Sequence, residues 1–109
     1  MTEDESRFND TADRTLRHIA QVVEDALGDD LDVDIQGGIL TIELPDRRQY
    51  VLNKHAPNRE LWLSSPVSGA WHFAPHQGHG WRATRDAQVM LLPLLAAELE
   101  GLTGTKVDL

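Results

Sequence analysis

The sequence predicts an α+β fold: a two-layer α-β sandwich with N- and C-terminal helices packed on one face of a five- to six-stranded antiparallel sheet. Three observations lead there. Apolar residues recur at helical spacing near the start of the chain, short alternating segments punctuated by Gly and Pro fill its middle, and a Leu/Ala-rich helical pattern lies near its end. A length of 109 residues suits a single domain, expected over 1–109.

The first helix is read from Phe8, Ala12, Leu16, Ile19, Ala20, Val23 and Leu27, which share one face. Asn9 or Asp10 can cap its start and Gly28 can close it in the left-handed conformation, so the spacing predicts a helix over 10–27. Residues 1–7, polar up to Arg7, are expected to be frayed.

Two alternating runs, 31–36 and 39–44, flank Gly37-Gly38 and read as a β-hairpin with a two-residue turn. Such a turn pairs 35 with 40, 33 with 42 and 31 with 44, which places Leu31, Val33, Ile35, Leu40, Ile42 and Leu44 on one core-facing side. Asp32, Asp34, Gln36, Ile39, Thr41 and Glu43 then face solvent.

Pro45-Asp46-Arg47-Arg48 is a turn, followed by a strand over 49–54 with Tyr50 and Leu52 inward and Val51 and Asn53 outward. After the Pro57-Asn58 turn, Leu61 and Leu63 claim the core and put Trp62 on the solvent side. Short strands are expected over 70–73 and 80–83, around a loop containing His and Gly. The last helix is read over 89–102, with Leu92, Leu95, Ala96 and Leu99 on one face. Pro93 is tolerated only near its start, and Gly101 and Gly104 are expected to end it.

Charge and composition exclude several function classes. A net charge of −8 and a pI near 4.9 repel nucleic acid and anionic membranes and favour cations or basic protein surfaces. The absence of cysteine rules out disulfides, thiolate metal sites and a cysteine nucleophile, leaving oxygen or imidazole as metal ligands. No apolar run approaches a membrane span and the first residues are acidic, so a cytoplasmic protein is expected.

Glu24, Asp25, Asp29, Asp30, Asp32 and Asp34 place six acids within eleven residues, with no Lys or Arg among them. Glu24 and Asp25 would sit at the negative pole of the first helix, which costs about 0.3–1 kcal/mol per exposed charge. Asp32 and Asp34 project from one side of the next strand and repel unless solvent or a cation screens them. Oxygen donors of this kind suit hard ions such as iron(III), calcium, magnesium and manganese, tolerate iron(II), and imply a shallow, weakly selective site. The same cluster equally serves as a solvated face that keeps the chain soluble. It lacks the glycine and distal Glu of an EF-hand loop.

Trp71 and Trp81 read as sheet-packing aromatics, whereas outward Trp62 shares its parity with Asn53 and His55 and reads as an interface anchor. The partner-facing set is Asn53, His55 and Trp62, together with Thr41 and His72 on the same wet face. His72, His76 and His79 lie within eight residues and could bind a metal or haem if their loop gathered them, although loop histidines are commonly just solvated. No Ser-His-Asp arrangement, phosphate loop or carboxylate cleft is legible, so no enzyme is expected.

The acidic end of the first helix, the run Gly37-Gly38-Ile39-Leu40-Thr41-Ile42, and the segment from Tyr50 to Pro66 with its Asn53-Lys54-His55-Ala56-Pro57-Asn58 and Trp62-Leu63-Ser64-Ser65-Pro66 stretches resemble the frataxin family, in its bacterial CyaY-type form. Leu94-Leu95-Ala96-Ala97-Glu98-Leu99 is similar to that family's second helix, and the likeness spans about 8–107. The resemblance implies an acidic ridge that binds Fe2+ and Fe3+ weakly, with other divalent cations possible, and a sheet surface that meets a cysteine desulfurase and iron–sulfur scaffold protein.

Matched by position, Glu24, Asp25, Asp30, Asp32 and Asp34 fall on the ridge, and Asn53 and Trp62 on the partner-facing sheet. His55 stands where the family often has Gln, and His72 at a site that is basic in some relatives. Arg14, Arg17 and Gln21 replace residues that are frequently acidic, which shortens the ridge, and Pro93 replaces a polar helix residue. The implied role is iron supply to, or regulation of, cluster assembly by a monomer that a metal could oligomerise. The alternative is an iron-oxidising storage protein with weak ferroxidase activity.

Overall fold

The computed structural model describes residues 3–77 and 80–109. Helix α1 (Glu3–Leu27) is followed by strands β1 (Asp32–Gln36), β2 (Ile39–Glu43), β3 (Gln49–His55), β4 (Glu60–Ser65), β5 (Gly69–His76) and β6 (Gly80–Ala83), and then by helix α2 (Leu91–Thr103). The six strands form one antiparallel meander in the order β1-β2-β3-β4-β5-β6, and both helices pack on one of its faces. The upper strand count of the sequence prediction is the observed one.

Helix α1 buries the predicted stripe Phe8, Ala12, Leu16, Ile19, Val23 and Leu27. It starts at Glu3, earlier than predicted, so residues 3–7 are helical where fraying was expected. Glu3, Asp4 and Glu5 in the first turn complement the positive pole of the helix, and an Arg7–Glu3 ion pair of 2.8 Å spans that turn. Gly28 follows α1 but does not take the left-handed conformation. A Cβ there would meet the Glu24 carbonyl and come within 2.7 Å of Glu24 Oε1, so the glycine makes room for Glu24.

The first hairpin follows the predicted register, with Ile35 opposite Leu40 and Val33 opposite Ile42. Gly37 and Gly38 have φ of 56° and 80°, the positive values that a tight primed turn requires. Leu40 and Ile42 are buried, but Ile35 on the same face is 39% exposed. This departs from the core assignment because β1 is the sheet's edge and Ile35, beside the turn, faces α1 across an open groove that leaves it partly uncovered. Outward Ile39 is exposed as expected.

Tyr50, Leu52, Leu61, Leu63, Phe73 and Trp81 fill the core between sheet and helices. Strand β5 extends three residues past the predicted end at Phe73, because Ala74, Pro75 and His76 pair with Arg82, Trp81 and Gly80. Trp81 is buried, packs edge-on against Phe8, and donates Nε1–H to Thr15 Oγ1 at 2.9 Å. Trp71 is half-buried beneath the Arg85 guanidinium, 3.5 Å from its ring centroid.

Helix α2 buries Leu91, Leu95 and Leu99, with Leu92 and Ala96 half-buried beside them. Pro93 sits in its first turn, where no amide donor is missed. The helix runs through Gly101 and closes at Gly104, whose φ of 76° supplies the left-handed cap. Of the two predicted terminators only Gly104 acts, because Gly101 still lies within the helix.

Glu98 of α2 fastens that helix to the sheet. Its Oε1 accepts the Tyr50 hydroxyl at 2.8 Å and the Ser65 hydroxyl at 2.6 Å, and its Oε2 accepts the Ser68 hydroxyl at 2.6 Å. Ser65 Oγ also accepts the amides of Val67 and Ser68, each at 3.0 Å, and Ser68 Oγ accepts Trp71 Nε1–H at 2.8 Å.

Burial first, and then the Glu98 carboxylate, push the Tyr50 hydroxyl well above the ordinary tyrosine value. The folded state therefore holds this proton more tightly than the unfolded chain. Its stabilising contribution is complete below the unfolded value of about 10 and is lost as pH rises above it. Urea unfolding between pH about 9 and 11.5 should show a falling midpoint, and Tyr50→Phe should flatten that fall. An equal slope in both proteins would refute the assignment.

Candidate functional site

Two surfaces carry the residues singled out from the sequence. The first is the acidic edge formed by the end of α1, the connection to β1, and β1 itself. Glu24, Asp25, Asp29, Asp30, Asp32 and Asp34 are all exposed, and among the described residues none of them forms an ion pair. Asp25 Oδ1 accepts Gln21 Nε2–H at 2.9 Å, so Gln21 steadies one carboxylate of the ridge. The last turn of α1 contains no basic residue.

The pairing of β1 with β2 adds a residue that the sequence reading left outside this cluster. Glu43 lies directly opposite Asp32, and Asp34 faces Thr41. Side chains opposed across an antiparallel pair have Cβ atoms about 4.5–5.5 Å apart, so the Asp32 and Glu43 carboxylates repel across the strands. The predicted pairing of 31 with 44 already implied this neighbour. Among the described residues no three His, Asp or Glu side chains converge as a preformed metal cage. The edge is a shallow carboxylate surface, open to hydrated ions.

The second surface lies on the open face of the sheet. Ile39, Asn53, Trp62 and His72 form one row across β2, β3, β4 and β5. Trp62 is half-buried because two imidazoles sandwich its ring. The His55 centroid lies 3.7 Å away at an interplanar angle of 9°, and the His72 centroid 4.2 Å away at 8°. Glu60 anchors the stack, accepting Trp62 Nε1–H at 2.8 Å with His72 Nδ1 3.7 Å from the same oxygen. His55 Nδ1 in turn accepts the Asn58 amide at 3.3 Å.

The structure thus gathers Asn53, His55, Trp62 and His72 and leaves Thr41 in the neighbouring row, between Asp34 and Val51. Glu60, unmarked by sequence pattern, fixes the indole. His76 lies on β5 four residues from His72, a separation of about 13 Å along a strand, so those two imidazoles cannot share an ion. His79 lies outside the described residues.

With this geometry in place, comparison with known proteins is decisive. The model of the Frataxin-like domain matches residues 1–105. The chain belongs to the frataxin family. Mitochondrial frataxin of Arabidopsis thaliana is 37% identical over 111 residues, and a mitochondrial frataxin-like protein of Leishmania donovani 38% over 112. These alignments cover 96% and 94% of the chain but 58% of each relative, so the chain spans little more than half their length.

Among solved frataxins, that of Psychromonas ingrahamii, studied for stability modulation within the CyaY family, superposes with a TM-score of 0.83 at 25% identity and covers 95% of both chains. Trimeric frataxin of Saccharomyces cerevisiae complexed with ferrous iron superposes with a TM-score of 0.71 at 30% identity, covering 95% of this chain and 89% of that one. The family and the two-layer fold expected from the resemblance are both established.

Proposed function

We propose that this frataxin-family chain binds iron weakly along the acidic edge and docks on a cysteine desulfurase and iron–sulfur scaffold protein, supplying iron to cluster assembly or regulating its rate. The observation that carries this reading is the row of six exposed carboxylates, Glu24 to Asp34, without a cationic partner among the described residues. Glu43 extends it onto β2. Hard oxygen donors without imidazole or thiolate accept both oxidation states of iron and tolerate other divalent cations. The ferrous complex of the yeast relative supports iron as the cargo, and its trimeric state supports a capacity to form oligomers.

The aromatic tier supports the docking half of the reading. A tryptophan held flat between two rings, with Asn53 opposite it on β3, has lost its side-chain freedom before any partner arrives, which lowers the entropic cost of association. Amide shift mapping tests both halves. Anaerobic iron(II) should perturb residues 24–34 and 43 and leave the tier alone, and the desulfurase should then perturb both surfaces. Iron(II) spectra that leave the acidic edge unmoved would overturn iron binding there. Oxygen uptake above a buffer control would favour the iron-oxidising storage reading.

Replacing Trp62 by alanine is expected to weaken binding of the desulfurase–scaffold complex at least tenfold, roughly the loss of an interface anchor. Isothermal titration of wild type and variant reads this, and an unchanged affinity would remove Trp62 from the interface.

A further inference from the structure

The two edges of the sheet are not equivalent. Strand β6 is covered by the segment after it, through an Arg82–Met90 bridge and an Ala83 N–H to Val89 carbonyl bond of 2.9 Å. Among the described residues, strand β1 pairs only with β2. The residues flanking a two-residue turn, Gln36 and Ile39, exchange hydrogen bonds, and antiparallel pairing alternates from there. The backbone groups of Asp34 and Asp32 therefore turn toward β2, and those of Ile35 and Val33 turn to the free edge.

The same two residues line a groove of about 390 Å3 between β1 and α1, with Ala20, Arg17, Gln21 and Glu24 on its other wall. Their side chains point to the helix side of the sheet, while Asp32 and Asp34 stand on the opposite side of the strand. Donors and acceptors at the rim, an apolar floor behind it and two carboxylates in front are what an incoming strand needs.

We infer that β1 accepts an extended segment of a partner protein as a seventh strand, and that this segment alternates apolar residues, facing the groove, with basic residues, facing Asp32 and Asp34. A second copy of β1 is a poor occupant, since antiparallel pairing of two such strands would bring four aspartates onto one side. A Lys- or Arg-bearing strand converts that repulsion into attraction. This deepens the docking reading by giving the acidic edge a binding mode, and it rests on that edge meeting a basic partner.

The test uses an acetylated, amidated seven-residue peptide of alternating lysine and valine, and the desulfurase itself. On peptide binding, hydrogen exchange of the Val33 and Ile35 amides should slow at least tenfold, while the Asp34 amide, already bonded to β2, changes little. N-methylation of alternate peptide amides should abolish binding, and Asp32→Lys with Asp34→Lys should weaken it at least tenfold. Ile35→Pro, which removes an amide donor not used within the sheet, should lose more affinity than Ile35→Ala.

No binding at about 1 mM peptide, binding without protection of Val33 and Ile35, or equal binding of the N-methylated peptide would overturn strand addition. Should Ile35→Pro fail to fold, the N-methylated peptide still decides. Desulfurase binding that leaves these two amides unprotected sinks strand addition while sparing the docking reading. A desulfurase that does not bind at all sinks the docking reading, and the peptide then decides strand addition alone.

Discussion

Glu98→Ala is expected to destabilise the fold by about 3 kcal/mol or more, read as a lower urea midpoint at unchanged slope. One carboxylate accepts hydroxyls from Tyr50, Ser65 and Ser68, which belong to β3, the end of β4 and the following turn. Hydrogen bonds to a charged acceptor are worth about 1.5–3 kcal/mol each, and removing the acceptor leaves partly buried donors unpaired. Ser65 and Ser68 also hold the turn amides and the Trp71 indole, so the loss propagates into the β4–β5 connection. Glu98→Gln keeps one carbonyl acceptor, and its amide can donate to Ser68 Oγ, so its cost should be about 1 kcal/mol. Equal costs for the two variants would show that packing, and not the acceptor, gives Glu98 its role.

That network also marks where sequence reasoning ran out. Its members lie 30 to 48 residues apart, and no periodicity links a helix glutamate to hydroxyls in a distant turn. The first hairpin was legible because Gly37-Gly38 sets the loop length and the alternating Leu, Val and Ile residues set the face, two independent signals that agree. Trp62 was legible as outward from the parity of Leu61 and Leu63, but its enclosure was not. The stack depends on side-chain conformations at His55 and His72, drawn from strands on either side. Gly28 misled because a glycine after a helix usually marks a left-handed cap, whereas here it yields space to Glu24.

Reversing Asp29, Asp30, Asp32 and Asp34 to lysine together should reduce desulfurase affinity by at least about a hundredfold at low salt, and should leave what remains nearly independent of salt. The wild-type edge presents these four with Glu24 and Asp25, all exposed and therefore screened, and with half-buried Glu43 along one border, so each attraction is individually small. Their sum acts over the approach path of a basic partner, and the loss should fall largely on the association rate. The open-face tier around Trp62 carries no acid other than Glu60, whose carboxylate is engaged by the indole, so its contribution should survive the reversal. The quadruple variant and Trp62→Ala should consequently add in free energy, the first changing the salt slope and the second leaving it intact. Unchanged affinity and an unchanged slope in the quadruple variant would remove the acidic edge from the interface. A slope that also vanished in Trp62→Ala would mean that the two surfaces act as one.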